Sequence, residues 1–153
     1  MKICSRVFGE IDIDESKIIH FPSGIIGFPQ LNDFALLYDE EKGSNAPIRW
    51  LQAIQDSEFA LPVMDPLIVT KEYNPEVESD LLLPLGEMKE EDTLVLVTIT
   101  IPKDLTKMSI NLQAPIVINA ETKKAAQIII NADKYPVKFY IYDILKELKK
   151  EGK

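Results

Sequence analysis

Short apolar runs, cut by turn residues, organise this chain. Lys2–Val7 and Glu10–Ile13 alternate apolar and polar positions, the period-2 pattern of a half-buried strand, with Phe8-Gly9 as a tight turn between them. Ile18–Phe21 is a short strand stopped by Pro22. Phe34–Tyr38 predicts a strand, followed by a charged loop from Asp39 to Asn45. Ile48–Ile54 and Phe59–Met64 predict two more, divided by the turn sequence Gln55-Asp56-Ser57-Glu58. Thr93–Ile101, rich in Val, Ile and Thr, is the longest strand signal. Met108–Leu112, Ile116–Ile118 and Ala125–Ile130 complete the set. Two helices are predicted. Glu78–Leu83 is short and ends at Pro84-Leu85-Gly86. Asp143–Lys150 has Asp143 as its cap, Ile144, Leu145 and Leu148 on one face, and Lys149 and Lys150 where the helix dipole favours cations.

Asn111-Leu112-Gln113-Ala114-Pro115-Ile116-Val117-Ile118-Asn119-Ala120 is the most informative stretch. On a strand, Asn111, Gln113 and Pro115 share one face. Ile116, Val117 and Ile118 form a run that wants burial on both faces. A polar bridge from Glu121 to Lys124 and a second apolar run make the whole a β-hairpin with a four- to five-residue loop. An amide pair at its entrance is unusual for a plain core strand.

Seven or more short strands at close spacing, with no βαβ alternation, argue for an antiparallel barrel or a pair of packed sheets. The predicted class is all-β, mainly antiparallel: a β-barrel-like domain over 1–140 with short helical segments, and a C-terminal helical tail over 141–153. Hydrophobic residues make up 46% of the 153, enough for a sizeable core. No apolar stretch reaches 18 residues, so no membrane span is expected. The N-terminus has no export signal pattern, and one cysteine suits a reducing cytoplasm.

Charge changes the picture further. The net charge is −8, and residues 1–120 hold 9 Lys+Arg against 20 Asp+Glu, a net of −11. Such a body repels phosphate backbones, would attract a basic partner, and keeps a small protein soluble.

Candidate chemistry is sparse. The single histidine, His20, sits in Ile18-Ile19-His20-Phe21 and reads as structural, since a catalytic one needs a partner base or nucleophile placed around it. His20 and Cys4 are too few for a transition-metal site, and Asp12 and Asp14 lack the pattern of a calcium loop. No cofactor is implied. Ser23-Gly24-Ile25-Ile26-Gly27-Phe28-Pro29 has two glycines but no following Lys-Ser or Lys-Thr, so it is a structural loop with Phe28 as its anchor. The run Glu87-Met88-Lys89-Glu90-Glu91-Asp92 reads as a solvated turn.

Three blocks carry a resemblance. Phe21-Pro22-x-Gly24-Ile25-Ile26-Gly27-Phe28 comes first. Pro47-Ile48-x-Trp50-Leu51-Gln52-Ala53 leads to Phe59-x-Leu61-Pro62-Val63-x-Asp65-Pro66 and Tyr73-Asn74-Pro75. Asn111 to Asn119 then meets Gln127-Ile128-Ile129. In this order and spacing, the chain resembles the FliW family of flagellar assembly factors, with Trp50 as a departure from the usual pattern.

The resemblance implies a cytoplasmic β-barrel protein without catalytic activity. It implies binding to flagellin as a chaperone. When flagellin is scarce, it implies binding to the translational regulator CsrA, non-competitively with RNA, which frees the flagellin message. A monomer is expected, with no direct nucleic-acid contact. Flagellin's terminal segments are amphipathic helices, so an apolar groove is expected, with Phe28, Leu31, Phe34, Trp50 and Phe59 available to line it. Asn111, Gln113, Phe28, Trp50 and Asp65 are the expected partner-binding residues. Rival readings are an oligonucleotide-binding barrel, a small-molecule-binding barrel, and an enzyme with an acidic cleft.

Overall fold

β-Branched and aromatic residues at alternating positions decide which faces turn inward. The computed structural model describes residues 1–37, 48–75, 79–87, 89–130 and 135–150. Tyr38, the charged stretch Asp39–Asn45, Pro47, Glu78 and Met88 lie outside them, as do the side chains of Lys149 and Lys150.

The strands are β1 (Lys2–Ser5), β2 (Gly9–Asp12), β3 (Ile19–His20), β4 (Asp33–Leu37), β5 (Arg49–Ala53), β6 (Ala60–Met64), β7 (Thr93–Thr100), β8 (Ser109–Ile110), β9 (Ile116–Asn119), β10 (Lys124–Gln127) and β11 (Phe139–Tyr140). The helices are α1 (Ser79–Leu82) and α2 (Tyr142–Lys150). β1 and β2 form a separate hairpin; the other strands form one sheet in the order β11-β8-β7-β6-β5-β4-β3-β10-β9. β9 returns to pair with β7, which closes β3–β7, β9 and β10 into a seven-stranded barrel. Every pairing is antiparallel except β3 with β10, which meet in parallel at Lys124↔His20.

The barrel interior is filled by Phe21, Phe34, Leu51, Val63, Leu96, Ile116 and Ile118, all buried. On β9, Val117 turns outward to a second cluster with Leu85, Ile128 and Ile130. The run from Ile116 to Ile118 is thus buried on both faces, as its composition requires. The turn into β10 places Lys123 at φ 61, the one non-glycine residue in the left-handed region among those described. Buried Asn119 holds that turn. Its Nδ2 donates to the carbonyls of Leu85 and Glu87 at 2.9 and 3.0 Å, and its Oδ1 accepts from the Glu121 and Thr122 amides.

Three sequence expectations change. The strand expected over Met108–Leu112 covers only Ser109–Ile110, and the hairpin strand begins at Ile116 rather than at Asn111. β8 and β9 both lie against β7, but the register shifts from Ile99↔Ile110 to Leu96↔Ile116. The residues between them form a bulge loop, and the Asn111 side chain closes it. Asn111 and Gln113 are therefore loop residues, not neighbours on a strand face. α2 starts at Tyr142, so Asp143 lies in its first turn rather than at its cap; a carboxylate there still opposes the dipole. β11, absent from the pattern reading, pairs with β8 through Phe139↔Ile110. Ile141 is fully buried beside Met64, Val97 and Ile110, and Leu145 of α2 packs onto the same cluster.

That cluster contains Tyr73, whose hydroxyl donates to the Leu112 carbonyl at 2.7 Å. Burial, and secondarily Tyr135, pushes this hydroxyl well above its ordinary range. The unfolded chain therefore loses the proton first. Stability from this group is complete below about pH 10 and falls as pH rises further. Tyr73→Phe is expected to flatten that alkaline loss. At neutral pH it should cost about 1–2 kcal/mol, because a buried carbonyl loses its donor. Thermal melts at neutral and alkaline pH check this; an alkaline slope unchanged by the substitution would refute it.

Candidate functional site

The first block makes a tight turn before it makes a surface. Phe21 is fully buried, and the Gly24 amide donates to its carbonyl at 2.9 Å. The Phe28 amide then donates to the Ile25 carbonyl at 2.7 Å, closing a two-residue turn with Gly27 at φ 88. This geometry lifts two apolar side chains into solvent: Ile26 is 47% exposed and Phe28 42%. An aromatic chain ties the loop to the core. Phe28 meets Phe59 at 4.7 Å between ring centroids, Phe59 meets Phe34 at 6.1 Å, and Phe34 meets Phe21 at 5.2 Å.

Beside this loop, where the barrel interior reaches the surface, lies a groove of ≈ 350 Å³. One wall is Ile25, Ile26 and Phe28, and the floor is Phe59, Leu61 and Thr98. The opposite wall is Asn111, Gln113, Ala114, Gln127 and Ile129. Among the described residues, none that lines it is charged. Gln127 bridges the walls: its Oε1 accepts from the Ile26 amide at 3.1 Å and its Nε2 donates to the Ala114 carbonyl at 3.2 Å.

The two amides of the bulge behave differently. Asn111 Oδ1 accepts from the Gln113 and Ala114 amides at 3.0 and 3.2 Å, so its carbonyl is committed to the loop. Among the described residues, no hydrogen bond falls on the Gln113 carboxamide or on Asn111 Nδ2, and both groups border the groove.

Three of the expected residues, Phe28, Asn111 and Gln113, thus converge from blocks more than eighty positions apart. Trp50 stays apart: it is half-buried on β5, opposite Leu37 and Pro62, and lines no part of this groove. Asp65 caps the 3-10 turn Pro66–Ile68 by accepting from the Leu67 amide at 2.9 Å. It lines a second groove of ≈ 360 Å³ on the barrel's outer wall, with Leu67, Tyr73, Leu94 and Val117. Leu31 and Phe34 are core. Ile26, Thr98 and Ile129 were missed by the sequence reading. Their signal is weak, because an exposed Ile in an apolar triplet looks the same as a buried one.

His20 pairs with Asp33 of the neighbouring strand, Nδ1 to Oδ1 at 2.8 Å, on the surface and away from both groove linings. Among the described residues, no group of three or more His, Cys, Asp or Glu is placed to hold a metal ion. No helix among them is long and apolar enough to cross a membrane.

Fold and groove together define a class: a small closed β-barrel with a surface groove lined, among the described residues, by apolar, amide and hydroxyl side chains. The sequence model of the FliW protein family matches residues 2–141. The chain is 47% identical to the flagellar assembly factor FliW of Lachnospira eligens, over 96% of this chain and 98% of that one. It is 41% identical to the FliW of Lachnoclostridium phytofermentans, over 94% and 92%. A crystal structure of the flagellar assembly factor FliW superposes with a TM-score of 0.84 at 27% identity, covering 93% of this chain and 97% of that one. The chain belongs to the FliW family.

Proposed function

We propose that this protein is a flagellar assembly factor that works by stoichiometric binding in the cytoplasm and catalyses no reaction. As a monomer it binds flagellin as a chaperone. When flagellin is scarce it binds CsrA, relieving repression of the flagellin message. The observation carrying this reading is the convergence of Phe28, Asn111 and Gln113, from two separate family-like blocks, on one uncharged groove. Such a surface suits a polypeptide, which offers apolar side chains and backbone carbonyls together.

The charge fits the second partner. An RNA-binding regulator carries basic surface, and the −11 over residues 1–120 complements it. Its field would repel phosphate within roughly a Debye length, ~8 Å at physiological salt. The same charge disfavours an oligonucleotide as ligand.

Gel filtration at micromolar concentration should show a one-to-one complex with flagellin, and flagellin should displace CsrA. Absence of both complexes ends the proposal. Gln113→Ala should weaken flagellin binding by about tenfold with an unchanged melting temperature, as expected for an interfacial hydrogen bond worth about 1.4 kcal/mol. Asn111→Ala should instead lower stability by about 1–2 kcal/mol, since two loop amides lose their acceptor.

A further inference from the structure

Beyond Ala125 the β10 chain runs on with one edge unpaired among the described residues. Ile128 and Ile130 direct their amides inward, to the carbonyls of Pro115 and Gln113, both at 2.9 Å. Strand alternation therefore turns the backbone groups of Gln127 and Ile129 to the other side. β3 meets β10 only at Lys124↔His20, then departs: the Phe21 amide already bonds to Asn32 on the way to β4. Among the described residues, no hydrogen bond falls on the Ile129 amide or carbonyl. The Ile129 side chain is 64% exposed and lines the groove.

We propose that the groove takes an extended, uncharged segment of a partner polypeptide, added as a strand along the Gln127–Ile129 edge. The inference rests on the groove being the partner site and specifies how that site is used. Three observations select this occupant. The edge presents backbone donors and acceptors that another extended backbone matches. A helix bonds its own backbone, and docked here it would cover the Ile129 amide and carbonyl without replacing their water. The described lining offers no charge to pair with, so the inserted side chains are neutral, apolar ones meeting Ile26 and Phe28. Soluble proteins usually shield strand edges with charge, proline or a covering loop. This edge lies beside exposed apolar side chains instead, which marks it as a docking edge.

Amide hydrogen exchange by NMR on the wild-type protein tests this. Free, the Ile128 and Ile130 amides should be protected and the Gln127 and Ile129 amides fast. With full-length flagellin, Gln127 and Ile129 should slow by at least about tenfold, a gain expected of newly formed ladder bonds. Ile129→Pro, which removes the outward amide together with the Ile129 side chain, should weaken flagellin binding by at least about tenfold. Ile129→Ala, which keeps that amide, should weaken it less. Tight flagellin binding with Ile129 still fast, or undiminished by Ile129→Pro, overturns strand addition while leaving the proposed function standing. If flagellin does not bind, that function fails. The edge is then probed with the neutral peptide acetyl-Val-Thr-Val-Thr-Val-amide, where absence of protection overturns the inference and protection supports it. Protection that grows with protein concentration alone identifies a second copy as the occupant and also overturns it.

Discussion

Gly24→Ala should lower the melting temperature by roughly 4–20 °C, at about 2–4 °C per kcal/mol for a domain of this size. Gly24 has φ +71, and a Cβ there would sit 2.6 Å from Pro29 Cα, 2.7 Å from the Phe28 carbonyl oxygen and 2.7 Å from the Pro29 carbonyl carbon. All three atoms are backbone, so no side chain can swing aside. The left-handed conformation alone costs an alanine about 1–2 kcal/mol, and forcing the backbones apart adds about 1–3 kcal/mol. Gly27→Ala provides the internal control. Gly27 has a similar φ of +88, but its Cβ would meet nothing within 4 Å, so only the conformational cost of about 1–2 kcal/mol should appear. The difference between the two melts isolates the close approach. The loop segment that must move carries Phe28, so Gly24→Ala should weaken the proposed flagellin binding even where the protein remains folded, and more than Gly27→Ala does. Two variants with equal melts would show that the approach of Gly24 to Pro29 does not constrain the loop.

The glycine pair also shows where sequence reading succeeds. Gly24-x-x-Gly27 between Phe21 and Phe28 signals a loop needing positive φ or close backbone contact, and both occur. The long strand is equally legible: Leu96 faces the barrel interior while Val95, Val97 and Ile99 pack on the other side, which is period-2 patterning at work. The bulge is less legible. Asn111 and Gln113 are two apart, which suits a strand face, but an Asx turn uses the same spacing and the Asn side chain captures the backbone first. β11 has only Phe139 and Tyr140, too short for any periodicity; it exists because β8 offers an edge. The groove is a tertiary product. Phe28, Gln113 and Ile129 adjoin because β10 pairs with β9 on one side and meets β3 on the other, and the β3–β10 pairing is not written in any one segment.

Gln52→Glu is the most damaging change expected from a near-isosteric substitution. Gln52 is fully buried on β5, among the polar side chains least exposed in the protein. Its Oε1 accepts from the Arg6 amide at 3.0 Å, tying the β1–β2 hairpin to the barrel. Its Nε2 lies 3.2, 3.3, 3.2 and 3.1 Å from the carbonyls of Ala53, Asp56, Ser57 and Phe59, sharing two hydrogens among them. A glutamate keeps the first contact and inverts the rest, because a second anionic oxygen would face four carbonyl oxygens. An uncompensated buried charge costs about 3–5 kcal/mol. Gln52→Ala leaves a cavity and an unbonded Arg6 amide but adds no repulsion, for about 2–3 kcal/mol. At neutral pH the order of stability should be wild type, then Gln52→Ala, then Gln52→Glu. Burial among carbonyls would raise the carboxyl's pKa in the folded state, so its protonated form is the tolerated one. The stability of Gln52→Glu relative to wild type should be greatest below the unfolded glutamate value of about 4.3 and be lost as pH rises through the higher folded value. Denaturant unfolding at acidic and neutral pH reads both the order and the slope. A glutamate variant more stable than the alanine variant at pH 7 would mean that the four carbonyls do not converge on this side chain.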